Sequence, residues 1–128
     1  MNAEEMLDHL SGSIALTFYD GEVKILTPED KLPGAKAFIL SDKPIPMGAQ
    51  KPSEYHSVKV SDADFKSKKE DLISTLKNYA VKMQDSPDFA ATHPYFGELR
   101  GMEWVHFQKK HFRHHLAQFG LMERDSKL

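Results

Sequence analysis

Between two stretches that keep a helical period, the chain carries Pro28, Pro33, Pro44, Pro46 and Pro52, with glycines among them. Proline fixes φ, lacks a backbone N–H and disrupts a helix interior, so no single helix runs through residues 20–60. That segment reads as an irregular crossover, and a connection of about 40 residues in a compact domain points to a task of its own. Its flanks are regular. Asn2 and Glu5 form a capping box, and Met6, Leu7, Leu10, Ile14 and Phe18 set an apolar stripe, predicting a helix over about 3–19. Ser61 and Asp64 give a second box, followed by Phe65, Leu72, Ile73, Leu76, Tyr79, Ala80 and Met83, which predicts a helix over about 62–84. SPDFAATHPYFGELRG reads as a turn region. A third helix is expected over about 102–119, stopped by Gly120 in a left-handed position. The expected fold is all-α, a single domain over 1–128, since this length suits one core.

Charge and composition narrow the function classes. The 17 basic side chains are balanced by 19 acidic ones, a net charge of −2, which offers no net basic face for tracking phosphates or an anionic membrane surface. MNAEEMLDHL is acidic and amphipathic, not a secretion signal, and no run of about 18 apolar residues is present to span a bilayer. The expectation is a soluble, cytoplasmic protein with no nucleic-acid or membrane partner. There is no cysteine, so any metal must be held by nitrogen and oxygen.

Seven histidines supply the nitrogen, three of them within HFRHHLAQFG, His111 to Gly120. At about 100° per residue from Trp104, His111 and His115 fall at about 340° and 20°, on the arc shared with Phe112, Leu116 and Phe119. His114 falls at about 280°, on the rim, and His106 at about 200°, where solvent is expected. Histidines at i and i+4 stand one turn apart and can aim two imidazoles at one ion. His9, on the edge of the first stripe shared with Ser13, is the natural third ligand. It lies about 10 Å above the start of its helix, and His111 to His115 lie about 7 to 13 Å below the end of theirs, so antiparallel helices bring all three to one level. The long crossover permits that arrangement, because it lets helices one and two run parallel and the third return antiparallel to both. His93, in HPYFG, is expected to be structural, a turn-forming residue at the opposite end of the bundle from His111. His56 lies in the crossover.

HPYFGELRGMEWVHFQKKHFRHHLAQFG closely resembles the C-terminal signature of a family within the DinB/YfiT-like superfamily, whose pattern is approximately HPxFGxL, EW and KHxxHHLxQFG. Here those elements are His93 to Leu99, Glu103 with Trp104, and Lys110 to Gly120. MNAEEMLDHL and SDKPIP, Ser41 to Pro46, are similar to two further segments of the same family. The resemblance implies a four-helix bundle with one long crossover and a three-histidine metal site, which carries onto His9, His111 and His115. It also implies metal-activated thiol or water chemistry, in S-transferase, isomerase or hydrolase reactions on a small-molecule or thiol substrate.

The chain departs from the pattern twice. It starts without a helix that the family places before the MNAEEM segment, so an apolar groove is expected to be filled by a second copy, by an adjoining domain or by the crossover folded back, with a homodimer favoured. It also has Arg100-Gly101-Met102 where the family tends to have Thr-Pro-Glu, giving up a good N-cap.

Three neutral imidazoles leave an open coordination position, which suits catalysis. Zinc fits first, with nickel, iron or manganese as alternatives. His114, Asp8 and His56 are the acid or base candidates, and Asp8 could instead orient an imidazole. The competing reading is a non-catalytic binding or interaction module whose buried histidines are hydrogen-bonded core members.

Overall fold

The computed structural model describes residues 2–45 and 63–122. The order of elements is α1 (Ala3–Thr17), a 3-10 turn (Glu29–Lys31), α2 (Leu32–Leu40), α3 (Ala63–Gln84), β1 (Ala90–His93), β2 (Gly97–Arg100) and α4 (Met102–Gln118). The fold is mostly helical, with one small antiparallel sheet. No helix among the described residues is long and apolar enough to cross a membrane.

The three amphipathic helices form where their stripes predict. The Asn2 side chain accepts from the Glu5 N–H at 2.8 Å, which starts α1 with one orphan donor satisfied. Met6, Leu7, Leu10 and Ile14 are buried, but the helix ends at Thr17 rather than Tyr19. The N–H groups of Phe18 and Tyr19 bond back three residues to Ala15 and Leu16, tightening the last turn, and the two residues stay 42% and 58% exposed although the Phe18 ring packs on Tyr79 and Phe89. On α3, Phe65, Leu72, Leu76, Tyr79 and Met83 are buried, as the spacing requires. The Ser61 capping residue lies outside the described residues. Trp104, Phe112, Leu116 and Phe119 carry the core face of α4, and Gly120 takes φ +70° just past its end.

Pairs of contacts give the helix directions. His9 meets His111 and Ser13 meets Gln108, so residue numbers rise along α1 as they fall along α4. Glu4 faces the level of Lys68 and Thr17 bonds Tyr79, so α1 and α3 run parallel. The Lys69 ammonium reaches the Leu121 carbonyl near the far end of α4. Parallel α1 and α3 with antiparallel α4 is the arrangement that brings the three histidines level.

Two elements correct the sequence reading. The crossover is not irregular throughout. Pro33 sits in the first turn of α2, where its missing N–H is an orphan anyway, so this proline starts a helix instead of preventing one. The second correction is in the turn region, where β1 pairs with β2 in the register His93 to Gly97, around Pro94-Tyr95-Phe96, with Gly97 at φ +73° closing the turn.

α2 packs on α4, and Lys110 fastens it. Lys110 is a buried residue whose ammonium donates to the Phe38 carbonyl at 2.8 Å and lies 4.7 Å from the Phe38 ring centre. Burial lowers its pKa, with Arg113 adding to the shift and Asp42 opposing it. His106, expected in solvent, is half-buried instead, with a ring nitrogen 3.2 Å from the Ser41 carbonyl, because α2 ends over that side of α4.

Gly101 sets the start of α4. It adopts φ +45°, and a Cβ there would stand 3.0 Å from the Pro87 carbonyl oxygen. Glu103 accepts from the Arg100 N–H at 2.9 Å, so one donor at this end is satisfied without an N-cap side chain.

Candidate metal centre and adjoining cavity

α1 and α4 bring His9, His111 and His115 together, with one ligand nitrogen from each within 4.8 Å of the others. His111 Nε2 stands 3.0 Å from His9 Nε2 and 3.0 Å from His115 Nε2. Nitrogens sharing one tetrahedral zinc ion stand about 3.3 Å apart, close to these two contacts. His115 is buried, His111 half-buried and His9 exposed, which leaves the cluster open to solvent on the α1 side.

The protons around the cluster can be placed. Gln118 sits between two of the rings, with Oε1 2.9 Å from His115 Nδ1 and Nε2 3.0 Å from His114 Nε2. An amide nitrogen only donates and its oxygen only accepts, so His115 carries its proton on Nδ1 and turns a lone pair on Nε2 toward His111. His111 Nε2 then faces two nitrogens with at most one proton to share, and neutral rings satisfy only one of the two contacts well. His111 Nδ1 is buried and has no hydrogen-bond partner, so neither tautomer of that ring is fully satisfied.

Protonating the rings does not resolve this. Burial holds His111 well below the usual histidine range, with His115, His9, His114 and His93 adding to the shift. Burial also lowers His115 to about 4, with His9 and His114 contributing and the Gln118 bond opposing, and it lowers His9. Neutral imidazoles with converging lone pairs fit a divalent cation. The three-histidine cluster could therefore hold a metal ion.

A cavity of about 530 Å³ opens beside His9 and His111. Leu16 from α1, Ile39 from α2, Pro94, Tyr95 and Phe96 from the hairpin and Phe107 from α4 wall it, and the His111 ring stacks on Phe107 at 5.3 Å. His93 lines the same cavity, which corrects its expected place at the far end of the bundle. The hairpin lies back along α4, setting the His93 ring 5.8 Å from Trp104 and 4.6 Å from Phe107, one turn before His111. Its turn-forming role holds, since His93 Nδ1 accepts from the Tyr95 N–H at 3.1 Å.

The three acid or base candidates fare differently. His114 is buried and engaged by Gln118, not on the rim, because α4 is covered on several sides. Asp8 is exposed and lines the groove of about 330 Å³ between α1 and α3, away from the cluster. Glu4, Lys68 and Asp71 line that groove as well, beside the apolar Leu7 and Leu72. His56 lies outside the described residues.

Gln118 and His93 were missed as parts of the site. Gln118 was legible, because a carboxamide three residues after one histidine and four after another faces both. His93 was not, because its place depends on the hairpin. No protein-family model, no curated protein and no solved structure matches the chain.

Proposed function

We propose that this protein is a metal-dependent enzyme of the DinB-like kind. A divalent ion, zinc first and nickel, iron or manganese as alternatives, is held by His9, His111 and His115, and the substrate lies in the adjoining cavity. The observation that carries this reading is the deficit of protons among three converging ring nitrogens. The resemblance of the His93 to Gly120 segment to that superfamily supports it and suggests S-transferase, isomerase or hydrolase chemistry.

The bound ion would supply Lewis acidity, lowering the pKa of a water or thiol toward about 7. The chain's own residues orient and exclude. Gln118 fixes the tautomer and angle of His115. Phe107 holds the His111 ring flat against one wall. Leu16, Ile39 and Phe96 line the apolar side of the cavity, while exposed His9 leaves the side of the cluster accessible.

The 3.0 Å nitrogen contacts also suit a hydrogen-bonded histidine cluster in a binding module, the second reading. Elemental analysis of wild type, His9→Ala and His115→Ala, each reconstituted with one ion at a time, separates the two. About one equivalent per chain, lost in both variants while helicity is kept, is the expected result. No metal in the wild type after reconstitution with each ion decides for the binding module.

A further inference from the structure

Two properties of the cavity have no part in holding an ion. The first is the chemistry of its wall: among the described residues, no Lys, Arg, Asp or Glu lines it. Apart from an ion held by the histidines, an anion entering it would give up hydration with no cationic side chain to replace the lost water, whereas an uncharged molecule would not. A space of about 530 Å³ falls within the range of small-molecule sites.

The second property is the direction of His93. The Tyr95 N–H donates to Nδ1, which requires a lone pair there, so the ring is neutral and its single proton sits on Nε2. Nε2 lies across the ring from Nδ1, and the N–H therefore points away from the turn. The ring does not rotate freely, because Phe96 packs at 4.7 Å, Phe107 edge-on at 4.6 Å and Trp104 at 5.8 Å. His93 is only 6% exposed, yet Nε2 is not sealed in protein and no described group accepts its proton. A held donor without a protein acceptor, on the wall of an apolar chamber, is a recognition element in search of an oxygen.

We propose that the cavity binds an uncharged, largely apolar molecule bearing an acceptor oxygen, and that His93 recognises that oxygen by donating from Nε2. This rests on reading the cavity as the substrate chamber of the histidine cluster, and it names the substrate class for that chamber. The donor is independent of the ion, so the two readings can fail separately.

The test uses 2-acetonaphthone and its carbon isostere 2-isopropenylnaphthalene, which have nearly the same shape and differ in the acceptor. Binding to chelator-treated wild type is measured by titration calorimetry. The ketone is expected to bind roughly 3- to 10-fold tighter than the isostere, the worth of one neutral hydrogen bond. His93→Asn keeps an acceptor for the Tyr95 N–H but lacks the distal donor, and the preference is expected to vanish. His93→Gln restores a donor at the distal position and should recover part of it. A ¹³C-labelled carbonyl provides a readout that needs no variant: its stretch should move to lower frequency in the wild-type complex than in hexane.

Equal affinity for ketone and isostere, an unshifted carbonyl, a preference unchanged in His93→Asn, or tighter binding of 2-naphthoate would each overturn the proposal. Failure of the wild type to bind either naphthalene would do the same. Metal content measured on untreated samples of the same preparations keeps the outcomes apart. Ketone preference in a protein that takes up no metal retains this inference and rejects the metal reading, and bound metal without ketone preference does the reverse.

Discussion

The seam between α1 and α4 is polar along two successive turns, but the turns treat their protons differently. In one, the Ser13 hydroxyl donates to Gln108 Oε1 at 3.0 Å, and Gln108 Nε2 donates to the Ser13 carbonyl at 2.9 Å and to Thr17 Oγ1 at 3.3 Å. Thr17 Oγ1 stands 2.9 Å from the Tyr79 hydroxyl, whose pKa burial pushes up to about 12 against the opposing effect of its bonds to Thr17 and Gln108. Both donors and the acceptor of the Gln108 amide are used. In the next turn, three ring nitrogens meet and too few protons lie between them. A complete network makes one helix register cheaper than its neighbours. An incomplete one, held in place by the complete one beside it, is where a metal ion could be held.

Gln108→Leu is expected to cost the most, about 2–4 kcal/mol in urea unfolding of metal-free protein, because it strands the buried Ser13 hydroxyl and weakens the Thr17–Tyr79 pair. A loss under about 1 kcal/mol would show that the network does not set the register. Acid should act next. Burial lowers His93 and His115 from 6.5 to about 4, so the unfolded chain takes up these protons at higher pH than the folded chain does. The stability these two rings contribute should be level above pH 6.5, fall as pH drops through that window and level off below about 4, by at most roughly 3 kcal/mol per ring. A flat urea midpoint from pH 7 to 4.5 would mean that neither ring is held neutral.

Gln118→Ala should lower metal affinity about 10- to 100-fold, read by competition with a chelating dye, while helicity stays unchanged. Unaltered affinity would detach Gln118 from the site. The smallest effect sharpens the contrast most. His111→Leu in metal-free protein is expected to stay within about 1 kcal/mol of wild type, because it removes an orphaned buried nitrogen along with the ring. A penalty as large as that of Gln108→Leu would erase the difference between the two turns.

The cluster was legible because it needs only helix geometry. The i, i+4 spacing of His111 and His115, and the height of His9 on an antiparallel partner, are consequences of a fixed rise and pitch. Whatever depends on the crossover was not legible. Read as irregular, residues 20–60 left the side of α4 bearing His106 and Lys110 facing solvent, whereas α2 covers it. The hairpin escaped for a related reason: AATH and GELR are each four residues long, too short for an alternating pattern to stand out from the turn between them. With the hairpin unread, His93 could not be brought back along α4, and the cavity had no visible wall.

Lys110 ties these regions together in a way that bears on how the molecule could change. Its ammonium sits at the carbonyl end of α2, where the helix dipole is negative, and it holds a short helix that supplies none of the three histidines. That helix nevertheless contributes Ile39 to the chamber wall. On the proposed reading, reactivity and selectivity would reside on separate parts, joined at one electrostatic rivet. Substitutions along α2 would then reshape what the cavity admits while α1 and α4 keep the three histidines together, so that descendants of this chain could change what they bind without rebuilding the proposed centre.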